Sequence, residues 1–429
     1  MKTLLFNCQT ELGIRNILIK DDQISYIGLG KSEYDEKIDC HGFTLFPGMI
    51  DTHVHVRDLE MTYKETWETA TRAAIAGGIT TIMDMPNTKP ATIDLEGLRA
   101  KRLAALQALV NYCFHLGATE NNLTDIEKIL RKQPADVAGI KVYLSSSSSN
   151  EVVRNPKILE KIFLIAYKYD KPVLVHTEQQ SILDKWFSHT SEKSIKFHSL
   201  IRNREAAIEG TKLVLDLADK VGSKLYLCHV STQEEIELIK TAKKQNENVF
   251  CEVTPHHLFL NENIIPEVGN IGKVNPPLSK KIDNKALFKE LLNGTIDTIG
   301  TDHAPHLKKE KEQSYLNAPS GFPGLETALP ILFTKLREVI SQDETLHIIS
   351  TLFSKNPADI FKIEKRGEIK TGNYADLVLF DPNKKWKIKS QNFQSKAKYS
   401  PFEGMEVQGK VVMCFVNGIK YENQGDTKL

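Results

Sequence analysis

Two histidines separated by one residue, His53 and His55 in the segment DTHVH, are the first side chains along the chain that could bind a metal. Residues i and i+2 of a β-strand point to the same side, so both imidazoles can face one ion. Imidazole nitrogen is a good ligand for zinc and similar ions. Two strand histidines facing solvent would give the same pattern, so this pair alone leaves metal binding open.

Four more polar residues stand at or near the ends of apolar segments that are typical of strands. They are Lys141 in GIKVYL, His176 in PVLVHTE, His229 in KLYLCHVS and Asp302 in DTIGTDHAPH. In a barrel of parallel strands, the active site is built at the C-terminal ends of the strands. The positions of these residues therefore favour one shared site, although His115 also ends an apolar segment.

Lys141 and Asp302 allow chemistry beyond simple ligation. A lysine ammonium is a poor neighbour for metal cations, but a lysine carbamylated by carbon dioxide is an anion that can bridge two metals. An ordinary ion pair is the alternative for Lys141. Asp302 can bind metal and also carry a proton, because a metal lowers the pKa of bound water to about 7 and a nearby carboxylate can accept the released proton. A helix N-cap is the alternative for Asp302, and the neighbouring His303 and His306 weaken that alternative.

The elements that must position these residues alternate between strand and helix. From GMIDTHVH to TIDTIGTD the sequence contains eight apolar segments with helical segments between them. This arrangement predicts an α/β fold, a (β/α)8 TIM-like barrel, at residues 47–361. A doubly wound open sheet is the alternative, but the glycine-rich dinucleotide fingerprint of such folds is missing. The strand-like segments at residues 1–46 and 362–429 are expected to form one small β-sandwich domain.

Composition excludes several classes of protein. The chain has 429 residues, with 56 Lys and Arg against 55 Asp and Glu, and so lacks the basic excess typical of nucleic-acid-binding proteins. No apolar run is long enough to predict a membrane span. The six cysteines show no CxxC spacing, so no zinc ribbon is predicted. Their low density favours reduced thiols and a cytoplasmic location.

The order of the motifs resembles that of the dihydroorotases of the amidohydrolase superfamily. The resemblance runs from about residue 47 to residue 361. Its segments are DTHVHVR, MPNTKP, GIKVYL, LVHTEQ, CHVST, CEVTPHHLFL, NPPL, TDHAPH and GFPGLETALP. Any one of these segments is weak, whereas together they are specific. The terminal segments ADLVLFDP and PFEGMEVQGKV also fit the family.

The resemblance implies two zinc ions with six protein ligands. These ligands would be His53, His55, Lys141, His176, His229 and Asp302. Lys141 would be an N6-carboxylysine that bridges the ions, and Asp302 would also be the catalytic acid/base. Members with a lysine at this position can bind a third metal at the position of Glu252, with Cys228 nearby. A hydrogen-bond acceptor behind the ligands is the alternative for Glu252.

Four further positions match residues that contact the substrate in the family. Arg57, Asn87 and His306 would hold the substrate's carboxylate, and Asn275 would contact its ring. A guanidinium suits a carboxylate because its planar donors engage both oxygens. For Asn275, a turn residue before Pro276 is the alternative.

The implied reaction is the reversible hydrolysis of (S)-dihydroorotate to N-carbamoyl-L-aspartate in de novo pyrimidine synthesis. A hydroxide that bridges the metals would attack the ring amide, with Asp302 carrying the proton. Hydantoinase (dihydropyrimidinase) and allantoinase are the alternatives with shared metal chemistry, but a neutral hydantoin does not need the carboxylate-binding residues. A non-catalytic relative that binds aspartate transcarbamoylase is a further alternative, although such relatives usually lose metal ligands. The resemblance also implies a homodimer, with aspartate transcarbamoylase as an expected partner.

Two segments depart from the family pattern. Arg57-Asp58-Leu59-Glu60 lacks the Pro-Gly turn that usually follows the HxHxR motif, so we expect a loop of different shape. The run from Ser145 to Ser149 after GIKVYL predicts a mobile loop that could close over the site; a passive surface loop is the alternative. Neither departure removes a ligand.

Overall fold

The computed structural model describes residues 1–30, 33–146 and 151–423. Its strands in chain order are β1 (Lys2–Thr10), β2 (Gly13–Lys20), β3 (Gln23–Gly28), β4 (Glu36–Asp39), β5 (Thr44–Pro47), β6 (Met49–Val54), β7 (Ile79–Asp84), β8 (Asn111–Gly117), β9 (Val137–Tyr143), β10 (Val173–His176), β11 (Leu225–Leu227), β12 (Val249–Val253), β13 (Thr298–Ile299), β14 (Leu377–Lys387), β15 (Glu406–Val416) and β16 (Ile419–Glu422).

The α-helices alternate with the strands through the middle of the chain. In order they are α1 (Trp67–Ala76), α2 (Leu95–Ala104), α3 (Leu123–Leu130), α4 (Pro156–Lys168), α5 (Gln180–His189), α6 (His198–Ile201), α7 (Arg204–Val221), α8 (Gln233–Ala242), α9 (Pro255–Phe259), α10 (Ile265–Val268), α11 (Lys281–Leu292), α12 (Lys308–Lys311), α13 (Ala328–Arg337), α14 (Gln342–Ser350) and α15 (Asn356–Phe361). A π-helical stretch, Thr351–Lys355, connects α14 to α15.

The predicted eight-stranded parallel barrel is confirmed. Strands β6 to β13 pair in sequential order, each parallel to the next. Val54 forms a parallel bridge with His303, and the His55 N–H donates to the His303 carbonyl at 2.8 Å. These contacts join the first strand to the segment after the last one and close the barrel.

Local sequence signals set the helix ends. Asp94 caps α2 by accepting a hydrogen bond from the Gly97 N–H at 2.8 Å. Gly77 is the C-cap of α1. Apolar faces of these helices pack on the outside of the barrel, whereas Phe361 of α15 packs with Tyr226 inside its N-terminal end. Burial on both faces explains why the barrel strands read as continuous apolar runs.

Both ends of the chain contribute to a second sheet, as expected from their similar patterns. Strands β16, β15, β14, β5, β1, β2 and β3 pair in that order, and β4 pairs with β1. Their shared apolar core includes Leu5, Ile17, Leu379 and Phe415. Within the strand-like segment 362–429, RGEIKTG forms no strand, whereas ADLVLFDP and KWKIKS both contribute residues to the single long strand β14. The domain boundaries at residues 46/47 and 361/362 stay a prediction.

None of the helices in the described ranges combines the length and apolar character needed to cross a membrane.

Candidate active site

All six predicted metal ligands line one cavity at the C-terminal end of the barrel, together with Arg57 and Asn275. His53 lies on β6, and His55 follows directly after it. Lys141 lies on β9, and His176 is the last residue of β10. The remaining ligands follow β11 and β13 within a few residues, and they are His229 and Asp302. The convergence inferred from the strand ends is therefore present.

His53, His55 and Asp302 form the first cluster. The Asp302 Oδ1 lies 3.0 Å from the Nε2 of His55 and 3.4 Å from the Nε2 of His53. The opposite ring nitrogens donate outward: the His53 Nδ1–H to Glu252 at 2.9 Å and the His55 Nδ1–H to Asn87 at 2.6 Å. These outer hydrogen bonds orient both rings and turn both Nε2 atoms toward the carboxylate.

His176 and His229 form the second cluster. The Nδ1 of His176 lies 3.1 Å from the Nε2 of His229. The other nitrogen of His176 donates to the Glu178 carboxylate at 2.8 Å. Arg202 in turn donates to both oxygens of Glu178, at 3.0 Å and 2.6 Å. His176 is thus held by a charged pair that leaves its Nδ1 facing His229.

Lys141 is fully buried beside these two clusters. Its Nζ donates to the Cys228 sulfur at 3.0 Å and lies 5.1 Å from the centre of the Tyr143 ring. In the described part of the chain, no carboxylate forms a salt bridge with this ammonium. A buried lysine charge without a counter-ion is costly, so the surroundings suit a Lys141 that carries a carboxylate better than one that carries an ammonium.

Glu252 lies beneath the ligands. One of its oxygens accepts from His53 and from the His229 N–H at 3.0 Å. The other oxygen accepts from the hydroxyls of Thr52 and Tyr226, each at 3.0 Å. Potential ligand atoms of His53, Cys228 and Glu252 lie within 4.8 Å of one another, as do those of the first cluster. The third metal stays a prediction.

Two of the four predicted substrate-binding residues line the cavity, and the other two lie behind its wall. The Arg57 guanidinium lines the cavity although its residue is only 2% exposed. Asn275 also lines the cavity, and its side-chain oxygen accepts from the Ser320 hydroxyl at 3.1 Å. Asn87 lies behind His55, and His306 lies behind Arg57 with its Nε2 3.2 Å from the Arg57 Nη2. Neither Asn87 nor His306 belongs to the cavity wall.

The loop after the first histidines has an unusual backbone, whereas its difference in shape from the family pattern stays a prediction. Arg57, Asp58 and Leu59 have φ values of 69°, 45° and 54°. Such left-handed conformations are costly for residues other than glycine. The Asp58 carboxylate accepts from the Leu59 N–H at 2.5 Å and from the Trp67 N–H at 2.8 Å, which stabilises the turn.

Of the serine-rich loop, only Ser145 and Ser146 lie in the described residues. Arg202 donates to the Ser145 hydroxyl and to the Ser146 carbonyl, each at 3.2 Å. The Ser146 N–H donates to the Gln180 side chain at 2.7 Å. Ser147, Ser148 and Ser149 lie outside the described residues, so the closing of this loop stays a prediction.

Burial and neighbouring charges shift the pKa values of the site's histidines and of Asp302 in different directions. Burial works against a charged His53, but the carboxylates of Glu252 and Asp302 raise its pKa to about 10. Burial lowers the pKa of His55 to about 4. The pKa of Asp302 is held well below its usual range by His53 and His55, despite burial. Asp302 is therefore ionised at neutral pH.

Glu178, Arg202 and Lys64 are absent from the residues predicted from sequence. Glu178 stands two residues after His176 in VHTE, and this short spacing was a usable signal. The sequence contains no such signal for Arg202 or Lys64. Arg202 is the C-cap of α6, and Lys64 reaches His306 from the segment between the Arg57–Leu59 turn and α1. Burial also works against the ionised Glu178, yet Arg202 and His176 lower its pKa to about 2.

The donor sets fit divalent metal ions such as zinc. Each cluster presents two imidazole nitrogens, and a carboxylate completes the first. The outward nitrogens of His53, His55 and His176 are already bonded to oxygen acceptors. This is the arrangement in which metal-binding histidines are usually held. The Nδ1 of His229 is buried and has no hydrogen-bond partner in the described structure.

Sequence comparison places the chain among known proteins. Residues 44–420 match the amidohydrolase family. A protein named dihydroorotase from Methanosphaera stadtmanae is 36% identical over 428 residues, covering 97% of this chain and 95% of the relative. Another of that name, from Staphylococcus epidermidis, is 34% identical over 421 residues, covering 94% and 96%.

Solved structures share the whole architecture. L-hydantoinase (dihydropyrimidinase) from Arthrobacter aurescens is similar with a TM-score of 0.92 at 28% identity, covering 100% of this chain and 97% of that one. Dihydropyrimidinase from Brevibacillus agri gives 0.89 at 27% identity, covering 98% and 95%. Given the near-complete family match and the identity to the relatives above, the chain belongs to the amidohydrolase family and, within it, to the dihydroorotases.

Proposed function

We propose that this chain hydrolyses (S)-dihydroorotate to N-carbamoyl-L-aspartate and catalyses the reverse ring closure in pyrimidine synthesis. The relatives named dihydroorotase, which match nearly the full chain, support this reaction. The same comparisons support a metal-dependent cyclic amidohydrolase, with the solved hydantoinases as more distant members of the family.

Arg57 carries the choice of substrate. Its guanidinium is buried, lines the cavity and forms no salt bridge with any described carboxylate. Burial lowers the pKa of Arg57, which reflects the cost of holding this charge away from water. An anionic group on the substrate would offset that cost, and a guanidinium can bind a carboxylate through two parallel hydrogen bonds. Dihydroorotate has such a carboxylate on its ring, whereas dihydrouracil has none.

Six side chains would hold the metal in the proposed site: His53, His55, Lys141, His176, His229 and Asp302. Bound zinc, with two ions bridged by a carboxylated Lys141, would supply an activated water and polarise the amide carbonyl. The buried Lys141 without a counter-ion supports the modification. A carbon-13 NMR signal from protein prepared in labelled bicarbonate, absent in Lys141→Ala, tests it.

Asp302 is the proposed acid/base. Its ionised carboxylate lies at the cavity between the two first histidines, so it can accept a proton from the attacking water. It then gives this proton to the ring nitrogen as the carbon–nitrogen bond breaks. Arg57 would hold the carboxylate of the ring meanwhile, and Asn275, which also lines the cavity, would contact the ring.

Turnover with paired substrates tests the proposal. Zinc-replete protein is incubated with L-dihydroorotate and, separately, with dihydrouracil, and the loss of each ring is followed. We expect opening of dihydroorotate alone, and Arg57→Gln should abolish that preference. Opening of dihydrouracil alone would contradict the substrate assignment and favour a hydantoinase.

If neither ring is opened, the zinc content of the protein decides between two alternatives. Zinc-loaded protein that opens neither ring would indicate another cyclic amide, such as the substrate of an allantoinase. Protein that neither binds zinc nor turns over would favour the non-catalytic alternative. The intact set of predicted ligands speaks against that last outcome.

The remaining proposals concern a third metal, the cellular location and the assembly of the chain. The third metal at Glu252 is supported by the proximity of His53 and Cys228, and zinc content above two ions per chain would test it. All six cysteines are free and buried, which supports the cytoplasmic location. The homodimer and the association with aspartate transcarbamoylase rest on the resemblance, and sedimentation of the chain alone and with that enzyme tests both.

A further inference from the structure

His306 lies between two cationic side chains. The Lys64 Nζ is 2.9 Å from its Nδ1, and the Arg57 Nη2 is 3.2 Å from its Nε2. The carbonyl oxygen of Ser320 is 3.0 Å from the same Nε2. Both His306 and Lys64 are buried. Within hydrogen-bond distance, Nδ1 therefore faces the Lys64 donor, with the Glu310 Oε2 farther away at 3.9 Å, whereas Nε2 faces both a donor and an acceptor.

These contacts select one tautomer of the ring. A lysine ammonium has donors and no acceptor, so the Nδ1 facing Lys64 must accept and carries no hydrogen. The hydrogen of the neutral ring is then on Nε2 and is donated to the Ser320 carbonyl. Burial and the charges of Arg57 and Lys64 hold the pKa of His306 well below its usual range, which keeps the ring neutral.

The chosen tautomer keeps Arg57 available to the substrate. The Nε2–H of His306 is donated to the Ser320 carbonyl, so Nε2 has no lone pair to accept from the Arg57 Nη2, 3.2 Å away. The Nη2 hydrogens of Arg57 can then be donated to a carboxylate in the cavity. In the other tautomer, Nε2 would accept one of these hydrogens and compete with that carboxylate.

We propose that Lys64 determines the preference for carboxylate-bearing substrates by fixing the tautomer of His306. Lys64 is a positioning residue, because it acts through His306 and does not line the cavity. The inference rests on the proposed function for the identity of the anion.

The direction of the Lys64 hydrogen bond matters more here than its charge. Glu310 lies 3.1 Å from the Lys64 Nζ and forms an ion pair with it. The Glu310 carboxylate also caps α12 by accepting from the Leu307 N–H at 2.8 Å, so it is fixed in place. The Glu310 carboxylate therefore holds the Lys64 ammonium in place, and one ammonium hydrogen is directed at the Nδ1 of His306.

Substrate kinetics test this inference. Lys64→Met should raise the KM for L-dihydroorotate about tenfold or more, the loss expected for one charge-assisted hydrogen bond, and change kcat by less than about twofold. Lys64→Arg, which retains a cationic donor, should restore most of the KM. Lys243→Met is the matched control: Lys243 pairs with Asp297 at 2.5 Å and donates to the Thr295 carbonyl at 2.7 Å, at the N-terminal end of the barrel. Its kinetics should match the wild type.

Nitrogen-15 NMR of histidine-labelled protein reads the tautomer without turnover, with the His306 signals assigned by their loss in His306→Asn. We expect a protonated Nε2 in the wild type and a mixture of tautomers in Lys64→Met. A wild-type His306 protonated at Nδ1 would overturn the inference even if Lys64→Met does not fold. An unchanged KM in a folded Lys64→Met would also overturn it. Wild-type protein that opens no dihydroorotate would instead overturn the proposed function, and the NMR result would still stand.

Discussion

Arg202 holds both carboxylate oxygens of Glu178, and Glu178 in turn holds the Nε2 of His176. This chain of contacts turns the Nδ1 of His176 toward His229. Outer carboxylates of this kind fix the tautomer and raise the basicity of a histidine ligand. The pair also reaches Ser145 and Ser146, so it connects the second histidine cluster to the start of the serine-rich loop.

Replacing Glu178 should therefore weaken metal binding without removing a ligand. We expect Glu178→Gln to lower zinc affinity about 10- to 100-fold, measured by competition with a chromophoric chelator. Glu160→Gln is the matched control, because Glu160 forms only an exposed pair with Lys220 at 2.7 Å. Equal zinc affinity in the Glu178 variant and the control would refute the positioning role of Glu178.

Asp302→Asn should separate proton transfer from simple binding. The amide keeps the size of the side chain but cannot accept a proton, so kcat should fall about 100- to 10,000-fold. Zinc content measured on the same sample identifies any loss through weaker ligation to the first cluster. A variant that retains its zinc and normal turnover would show that Asp302 is not the acid/base.

The rise of the KM for dihydroorotate at alkaline pH should reflect the ionisation of Lys64. Burial lowers the pKa of Lys64 below its ordinary value of 10.5, and the charges of Arg57 and Lys89 act in the same direction, whereas the hydrogen bond that Lys64 donates to Glu310 raises it. Lysine is charged below its pKa, so rising pH removes the donor charge and exposes the negative charge of Glu310. The KM for dihydroorotate should consequently rise with pH earlier than an ordinary lysine would allow.

Lys64→Arg is the control for this profile, because arginine stays charged across the accessible range. Its KM should stay flat where the wild-type KM rises. If both proteins show the same alkaline limb, another group is responsible.

Gly300 makes room for the Glu252 carboxylate. A Cβ at this position would overlap the Glu252 Oε2, which is held in place by Thr52 and Tyr226. Gly300→Ala should cost about 1–3 kcal/mol of stability through overpacking, seen as a lower Tm. The double variant with Glu252→Ala should lose less than the sum of the single losses, because the overlap disappears with the carboxylate. Additive losses would contradict this explanation.

Sequence reasoning located the parts of the site that depend on strand geometry. His53 and His55 follow from two-residue alternation, and Lys141, His176 and Asp302 from the rule that barrel sites lie at the C-terminal ends of strands. The barrel needed only the alternation of apolar and helical segments. These signals are local, or they follow from a topology that allows few arrangements.

The parts that escaped prediction depend on loops and long-range contacts. Nothing in the sequence spacing places Lys64 against His306, 242 residues away. Sequence patterns also do not show that Asn87 and His306 support the residues in the cavity wall instead of lining it themselves. RGEIKTG, within the strand-like segment 362–429, forms no strand for a similar reason, since the pattern of a segment does not reveal whether a neighbouring strand is available for pairing.

The contact that closes the barrel, the seam between Val54 and His303, has a consequence for how the newly synthesised chain folds. His55 and Asp302 are 247 residues apart, and they meet only where Val54 pairs with His303. Contacts this distant in sequence form slowly, so a chain leaving the ribosome presents the first histidines long before their carboxylate partner. Metal loading at the proposed site would then follow closure of the barrel, and an ion bound there would favour the closed seam over its opening.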